Sequence, residues 1–417
     1  MIDLDRWQEI WFTLKQHKLR TTLTAFGVFW GIFMLVILLG AGKGLENGAI
    51  EGFGGKTNTV FIWVGGKTQI PYKGLPTGRR ASLNDGDLDA LRTLPELGLS
   101  SGVNNLGGYQ SNQYIVRKDK TGTFETRGVD AEGFILSGFT VVHGRGINEN
   151  DFAERRKIVV IGSGVKDVLF EKDENSIAQQ IKISGVNFTI VGVFESSSNN
   201  PDDVNMILMP NSSLRTTFNQ MAWIGHFQIA PIAGVDATIL EKKAKAIIME
   251  RHKIHPDDLG ALGSFNMQKE FDKVLGLFTG IKVFSWIVAI GTIIAGVVGV
   301  GNIMLIVVKE RTKEIGINKA LGATSWHVIS TILQETFVLT FISGYLGLTA
   351  GVFLLEGITS VLNSTGDGGN AMFSNAEIDF TTAIVALVTL MFAGMCAAVL
   401  PAMKAANVDP IVALQEE

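Results

Sequence analysis

Few residues in this chain have the types and spacing that chemistry requires. ATP hydrolysis needs a phosphate-cradling loop of the form GxxxxGK[ST]. Gly-Lys-Thr occurs twice, at Gly55-Lys56-Thr57 and Gly66-Lys67-Thr68, but Ile50 and Phe61 stand where the leading glycine belongs. Both fragments read as turns flanking a strand. The six histidines are His17, His143, His226, His252, His255 and His327. His252 and His255 could share a helix face, yet no carboxylate or cysteine cluster accompanies them. Pro256 follows directly, so a helix terminus is expected there rather than a metal site. Gly162-Ser163-Gly164 lacks a histidine and an acid at hydrolase spacing. Cys396, the only cysteine, lies in an apolar run and reads as a buried, inert thiol; a disulfide within the chain is excluded. No catalytic, metal-binding or cofactor-binding residue is assigned.

The segment with the most informative pattern is 308–323, VKERTKEIGINKALGA. Its charges alternate through Lys309, Glu310, Arg311, Lys313 and Glu314, while Ile315, Ile317 and Leu321 give it an apolar side. Such a helix suits docking in a partner's groove. A basic topology anchor without a partner fits the same residues equally well.

The elements that hold this segment are membrane helices. Only 18% of the 417 residues are charged, below the roughly 25% of soluble chains; the net charge of -4 argues against a nucleic-acid partner. A spanning helix needs about 20 apolar residues, and the charge-free runs 21–42, 283–308, 336–355 and 380–403 qualify. The first run is longer than the ~7–15-residue core of a signal peptide and reads as a retained anchor. Arg6, Lys15, Lys18 and Arg20 precede it, and Lys309, Arg311, Lys313 and Lys319 lie between the second and third runs. The segment 357–379 has neither Lys nor Arg. Both termini are therefore expected in the cytoplasm.

The expected fold class is an integral membrane protein. Four transmembrane α-helices carry a large mixed α/β extracytoplasmic domain between helices 1 and 2. Expected boundaries are an amphipathic cytoplasmic helix over 1–18, transmembrane helices over 19–43, 280–308, 327–356 and 380–403, and the extracytoplasmic domain over 44–279. A cytoplasmic loop over 309–326, an extracytoplasmic loop over 357–379 and a tail over 404–417 complete the chain. Leu4, Trp7, Trp11 and Leu14 recur at helical spacing and suit the membrane interface; a plain helical leader is the alternative.

Ionisable residues inside spans would mark an ion or proton path. The four runs hold none; Glu335 and Glu356 only bound the third, and Asn302 sits uncharged in the second. A proton-driven carrier and a wide channel are both disfavoured. Small residues do recur at helix-packing spacing: Gly291, Ala295 and Gly299 in the second span, Gly347 and Gly351 in the third. Packing within the chain and a dimer seam explain them equally.

In the domain, 59–64, 157–161, 180–183, 188–193 and 204–209 read as strands, with Ser184-Gly185 as a hairpin turn. Asn84 and Asn211 are expected helix caps, for helices reaching Leu94 and Phe218. A helix over 236–252 should bury Leu240, Ala244, Ile247 and Ile248 and carry a Glu241–Lys245 pair. Another should run from Asn266 into the second span.

KERTKEIGINKALGA at 309–323 closely resembles the cytoplasmic signature of the FtsX-like, MacB-like permeases of ATP-binding cassette systems. KLRTTLTAFGVFWG at 18–31, Gln334-Glu335, LPAMKAANVDPIVAL at 400–414 and the stretch 144–195 resemble that family too, as does the order of spans. Asn318 departs from it: the family often carries Arg there, so this chain has one charge fewer in the segment. The resemblance implies a separate ABC ATPase subunit that holds ATP and Mg, a second permease forming a homo- or heterodimer, and a bacterial inner-membrane location. It also implies an insertion subdomain over about 128–221 and mechanotransmission in export or efflux. Lys309, Glu310, Arg311, Lys313, Glu314, Ile315, Gly316 and Gly322 would couple to the ATPase. A periplasmic adaptor is a further candidate partner. Driving an external cell-wall hydrolase and releasing lipoproteins are the competing roles.

Overall fold

The computed structural model describes residues 18–53, 57–172, 174–196, 201–364 and 380–407. The expected helix through Leu4, Trp7, Trp11 and Leu14, residues 365–379 of the loop before the fourth span, and the last ten residues of the tail lie outside them. In chain order the elements are α1 (Lys18–Gly52), β1 (Val60–Val64), α2 (Asp85–Leu91), β2 (Leu97–Asn105), β3 (Asn112–Arg117), β4 (Lys120–Val129), α3 (Ala131–Leu136) and β5 (Phe139–Gly144). There follow α4 (Glu149–Ala153), β6 (Ile158–Gly162), α5 (Ser163–Leu169), β7 (Gln180–Ile183), β8 (Val186–Ser196), α6 (Pro201–Val204), β9 (Met206–Pro210) and α7 (Asn211–Thr217). The chain closes with β10 (His226–Pro231), α8 (Ala237–Arg251), β11 (Leu262–Asn266), α9 (Met267–Glu310), α10 (Thr312–Ala320), α11 (Ser325–Ser364) and α12 (Phe380–Ala406). They form two compact units, one holding the apolar helices and the other the α/β domain.

Among the described residues, α1, α9, α11 and α12 are long and apolar enough to cross a membrane. They overrun the charge-free runs because Lys and Glu are good helix formers and do not end a helix. Thus α1 continues past Gly42 through Lys43 and Glu46, which pair at 3.2 Å. The helices share an apolar core: Val28, Ile32 and Val36 of α1 meet Val300 and Met304 of α9, Val328 and Ile332 of α11, and Ala402 of α12. Buried Thr336 and Thr340 return their hydroxyls to the carbonyls of Ile332 and Thr336, at 3.0 and 2.8 Å. A polar side chain is thereby satisfied inside its own helix. Cys396, expected buried, is exposed on α12.

In the α/β unit, the order β11-β1-β10-β2 forms one antiparallel section. α2 and α8 cover it, and their Leu88, Leu91, Leu240, Ala244 and Ile248 pack on Val60, Ile62, Phe227 and Ile229. Each buried Leu or Ile contributes about 2 kcal/mol. β2 then passes to β4, and the order β4-β3-β7-β8-β6-β9 closes on itself because β4 also pairs with β9 in parallel. This second body has its own apolar clusters, which already include Ile115 of β3 and Phe124 of β4.

Local sequence explains most elements. Ser184 and Gly185 both take positive φ, 44° and 90°, as a two-residue turn between β7 and β8 requires. Asn84 caps α2 through a reciprocal pair with Asp87, although that helix ends at Leu91 rather than Leu94. Asn211 does not cap α7: Pro210 holds that place, and the Asn211 amide donates to the Gly102 carbonyl at 2.6 Å. A long-range bond satisfies a buried β2 oxygen in place of a local cap. The Glu241–Lys245 pair does not form either. Glu241 is buried and turns toward β11 and α9, while Lys245 reaches Ser264 at 3.3 Å.

Candidate coupling site

The segment 309–323 holds a break between two helices. α9 ends at Glu310, and Arg311 leaves helical geometry (φ −96°, ψ 11°) to cap α10. Its backbone bridges the break: Arg311 N donates to the Val307 carbonyl, and the Arg311 carbonyl accepts from Ile315 N. Its side chain faces inward. Nε lies 3.1 Å from Glu314 and one terminal nitrogen lies 3.5 Å from Glu335. Glu335 is buried on α11. Gly322, at φ +103°, makes the turn from α10 to α11 that a residue with Cβ would strain.

The residues expected to couple divide into two faces. Ile315 packs against the membrane-helix core and Gly316 is buried. Lys309, Glu310, Lys313 and Glu314 are exposed, and so are the apolar Ile317, Leu321 and Trp326, the last two at 82% and 73%. α10 thus shows one face to its own helices and a charged, apolar-studded face outward. Sequence reasoning did not single out Trp326, and it treated Glu335 only as the edge of a span. A carboxylate beside an apolar run was the available sign of a buried ion pair.

The small residues of the spans separate as well. A Cβ on Gly347 would lie 2.5 Å from the Phe29 carbonyl oxygen, and one on Gly351 would collide with Val36. These glycines let α11 and α1 approach closely. A Cβ on Gly291 or Gly299 would meet nothing within 4 Å, and Ala295 is exposed. Gly394, unremarked in the sequence, plays the Gly347 part between α12 and α11, where Thr340 Cγ2 would be 2.8 Å from a Cβ.

Where the chain leaves the α/β unit, α9 is joined to the domain by a buried carboxylate. Glu241 of α8 accepts from Ser264 Oγ at 2.7 Å, Asn266 Nδ2 at 3.0 Å and Lys269 Nζ at 2.8 Å. Burial alone would raise the Glu241 carboxyl, but the bonds from Lys269, Asn266 and Ser264 outweigh it and hold it below the ordinary value. Gln268 accepts from Ala237 N at 2.8 Å. Phe53, just past α1, meets Phe271 of α9 edge-to-face at 5.3 Å. A second buried carboxylate, Asp87, joins α2 to the end of α8, with Arg251 Nε and His252 Nε2 each at 2.7 Å. His252 is thus a helix-end partner of an acid. Gly66 of the second Gly-Lys-Thr fragment donates its N–H to the Gly260 carbonyl at 2.7 Å, and Thr68 N donates to Arg79 O at 2.7 Å. Those amides serve a loop fold.

This arrangement defines a class: a multi-pass membrane protein with four apolar helices, a folded α/β domain between the first two in sequence and a short helix between the second and third. Comparison with known sequences is consistent with it. The profile of the MacB-like periplasmic core domain matches residues 21–247, and that of the FtsX-like permease C-terminal region matches residues 286–410. The chain belongs to the MacB-like, FtsX-like permease family of ATP-binding cassette systems.

It is similar to the macrolide export ATP-binding/permease proteins MacB of Nitrosomonas europaea, at 27% identity over 99% of this chain and 58% of that protein, and of Acinetobacter baylyi, at 26% over 99% and 60%. The chain spans about three-fifths of the length of these curated relatives. Among solved structures, it resembles the periplasmic region of MacB from Actinobacillus actinomycetemcomitans, with a TM-score of 0.42 and 18% identity over 52% of this chain and 93% of that one. The extracellular domain of the ABC-type transporter YknZ from Gram-positive bacteria scores 0.41, at 15% identity over 50% and 100%.

Proposed function

We propose that this chain is the permease of an ABC exporter in the bacterial inner membrane, and that it passes motion from an ATP-hydrolysing partner to its extracytoplasmic domain. The observation that carries the reading is α9. It runs without a break for 44 residues from Met267 to Glu310, about 65 Å at the α-helical rise. Its first turn is tied to the domain through Glu241, and its last residue precedes the cytoplasmic α10. A displacement of α10 would be carried along α9 to β11 and α8.

The outward surface around α10 supplies the docking surface for the ATPase, through Lys309 and Glu310 at the end of α9, Lys313 and Ile317 of α10, Leu321 just past it and Trp326 of α11. ATP and Mg belong to the partner. Both termini lie in the cytoplasm, and a second permease copy packs on the open Gly291–Ala295–Gly299 face. The names of the relatives put macrolides first among the cargoes to test.

The test is affinity capture of the detergent-solubilised full-length protein from its native membranes, followed by reconstitution of what is captured. An ABC ATPase in the eluate, with ATP-dependent accumulation of a macrolide in inside-out vesicles, supports export. An ATPase captured together with a cell-wall hydrolase, without drug movement, would replace export by signal transduction. A well-folded sample that captures no ATPase would overturn the proposal.

A further inference from the structure

We infer that α10 is pinned at both ends to the membrane helices that follow it, by Arg311 on Glu335 at its start and by Lys319 on the end of α12 at its finish. A push on α10 then enters α11 and α12 as well as α9. The inference deepens the proposed coupling function and rests on it for its physiological meaning, while the pins themselves can be tested without the ATPase.

The first pin follows from burial. Glu335 has a side chain only 8% exposed, and its neighbours Thr336, Val338 and Leu339 are buried with it. A carboxylate on an apolar helix needs a counter-charge, because desolvation costs more than an unpaired ion can recover. Arg311 supplies one at 3.5 Å while holding Glu314 at 3.1 Å. Its guanidinium therefore fixes the angle at the α9–α10 break relative to α11. Arg311 is itself three-quarters buried, so it is a positioning residue inside this chain rather than part of the docking face.

The second pin uses a helix end. Ala406 is the last residue of α12, and the last carbonyls of a helix lack intrahelical donors and carry partial negative charge. Lys319 Nζ donates to the Ala406 carbonyl at 2.7 Å, and Ser325 Oγ reaches the same oxygen at 3.4 Å. Between the pins, Ile315 and Gly316 fill the inward face. The exposed Lys313, Ile317 and Leu321 lie elsewhere, so the pinned face and the docking face are separate surfaces.

A nine-residue helix is too short to persist in water unaided, so exchange of the α10 amides reports the pins directly. The experiment compares the full-length protein in lipid nanodiscs as wild type, Arg311→Glu, Glu335→Arg, the double swap and Glu335→Gln. Each is measured by hydrogen exchange of α10 and by ATPase capture and hydrolysis rate. The single charge reversals should speed α10 exchange and cut stimulated hydrolysis by about tenfold or more. Glu335→Gln, which sets no like charges together, should fall between, and the double swap should return both readouts to within about twofold of wild type. Lys319→Met should loosen the C-terminal half of α10 alone. If Arg311→Glu abolishes ATPase capture with α10 exchange unchanged, Arg311 meets the partner and the pin is wrong. A folded double swap that stays as loose as the singles overturns it as well. If the wild type captures no ATPase, the coupling function fails and the exchange data still decide the pins.

Discussion

Glu241→Ala should detach the long helix from the domain without unfolding either. The substitution removes three hydrogen bonds to a carboxylate, from Ser264, Asn266 and Lys269. Two come from neutral donors in a partly or fully buried setting and contribute about 1.5 kcal/mol each. The Lys269 side chain is nearly half exposed, so solvent screening reduces its share to roughly 0.5 kcal/mol. The local loss is therefore about 3.5 kcal/mol, or between 100- and 1000-fold in an opening equilibrium at ~1.4 kcal/mol per decade. Hydrogen exchange of β11 and the first turns of α9, in the full-length protein, reads that equilibrium. Lys245→Met, which gives up only the 3.3 Å contact to Ser264, is the control and should change little. In the reconstituted complex, Glu241→Ala should leave ATP hydrolysis running while cargo movement falls. Exchange within about threefold of wild type, with transport intact, would refute the joint and the counting behind it. The carboxyl is depressed in the fold. Its contribution is thus full above the ordinary carboxyl value of 4.5 and is lost as pH falls through the lower folded value.

Asp87 follows the same sign. Burial would raise its carboxyl, but bonds from His252 and Arg251 hold it low, so Asp87→Asn should flatten the acid limb of a melting-temperature profile below about pH 5. Gly351→Leu, which would drive a side chain into Val36, should lower the melting temperature of the solubilised protein by an overpacking cost of about 1–3 kcal/mol. Gly299→Leu, with open space around it, should not; it should instead reduce co-capture of differently tagged copies, and equal co-capture would remove that face from the dimer. Leu321→Asp on the outward face of α10 should cut ATPase capture at least about tenfold with no change in melting, as truncation of an exposed anchor does.

The membrane helices were legible because hydrocarbon demands a long uncharged run, and composition alone reveals one. Strands β1 and β6 to β9 were legible for a related reason: runs such as VFIWV and IVVIG in buried sheet are dense in β-branched residues. β2, LGLSSGVNN, was not, because its buried positions include Ser100, Ser101, Asn104 and Asn105. The side-chain amides of Asn104 and Asn105 donate to Gln220 and Glu125, far off in sequence. The same limit explains the two local pairings that failed. Glu241 has Lys245 one turn away, and Asn211 has its own helix to cap, yet each turns to groups far off in sequence. On the α10 segment the charge pattern was visible, but which charges face inward depends on Glu335 and Ala406, 24 and 87 residues from their partners.

Buried charge in this chain marks joints. Asp87 ties α2 to α8, Glu241 ties α8 to β11 and α9, and Glu335 ties α11 to the α9–α10 break. Apolar residues of equal volume would fill these places at similar or better stability. What they would lose is direction. An apolar contact slides with little penalty, whereas a carboxylate held at 2.7 to 3.0 Å by three donors keeps its register until all three yield together. Under the proposed coupling, a chain that passes a push from α10 to the α/β unit would need stiff connections at the turns and could tolerate slippage in the middle of its helices. The placement of ion pairs at element ends, with apolar packing and open small-residue faces between, matches that requirement. A variant in which both partners of a pair are made apolar, such as Glu335→Leu with Arg311→Leu, should therefore melt near the wild-type temperature yet transmit poorly. Loss of stability in step with loss of transport would instead make these pairs ordinary structural supports.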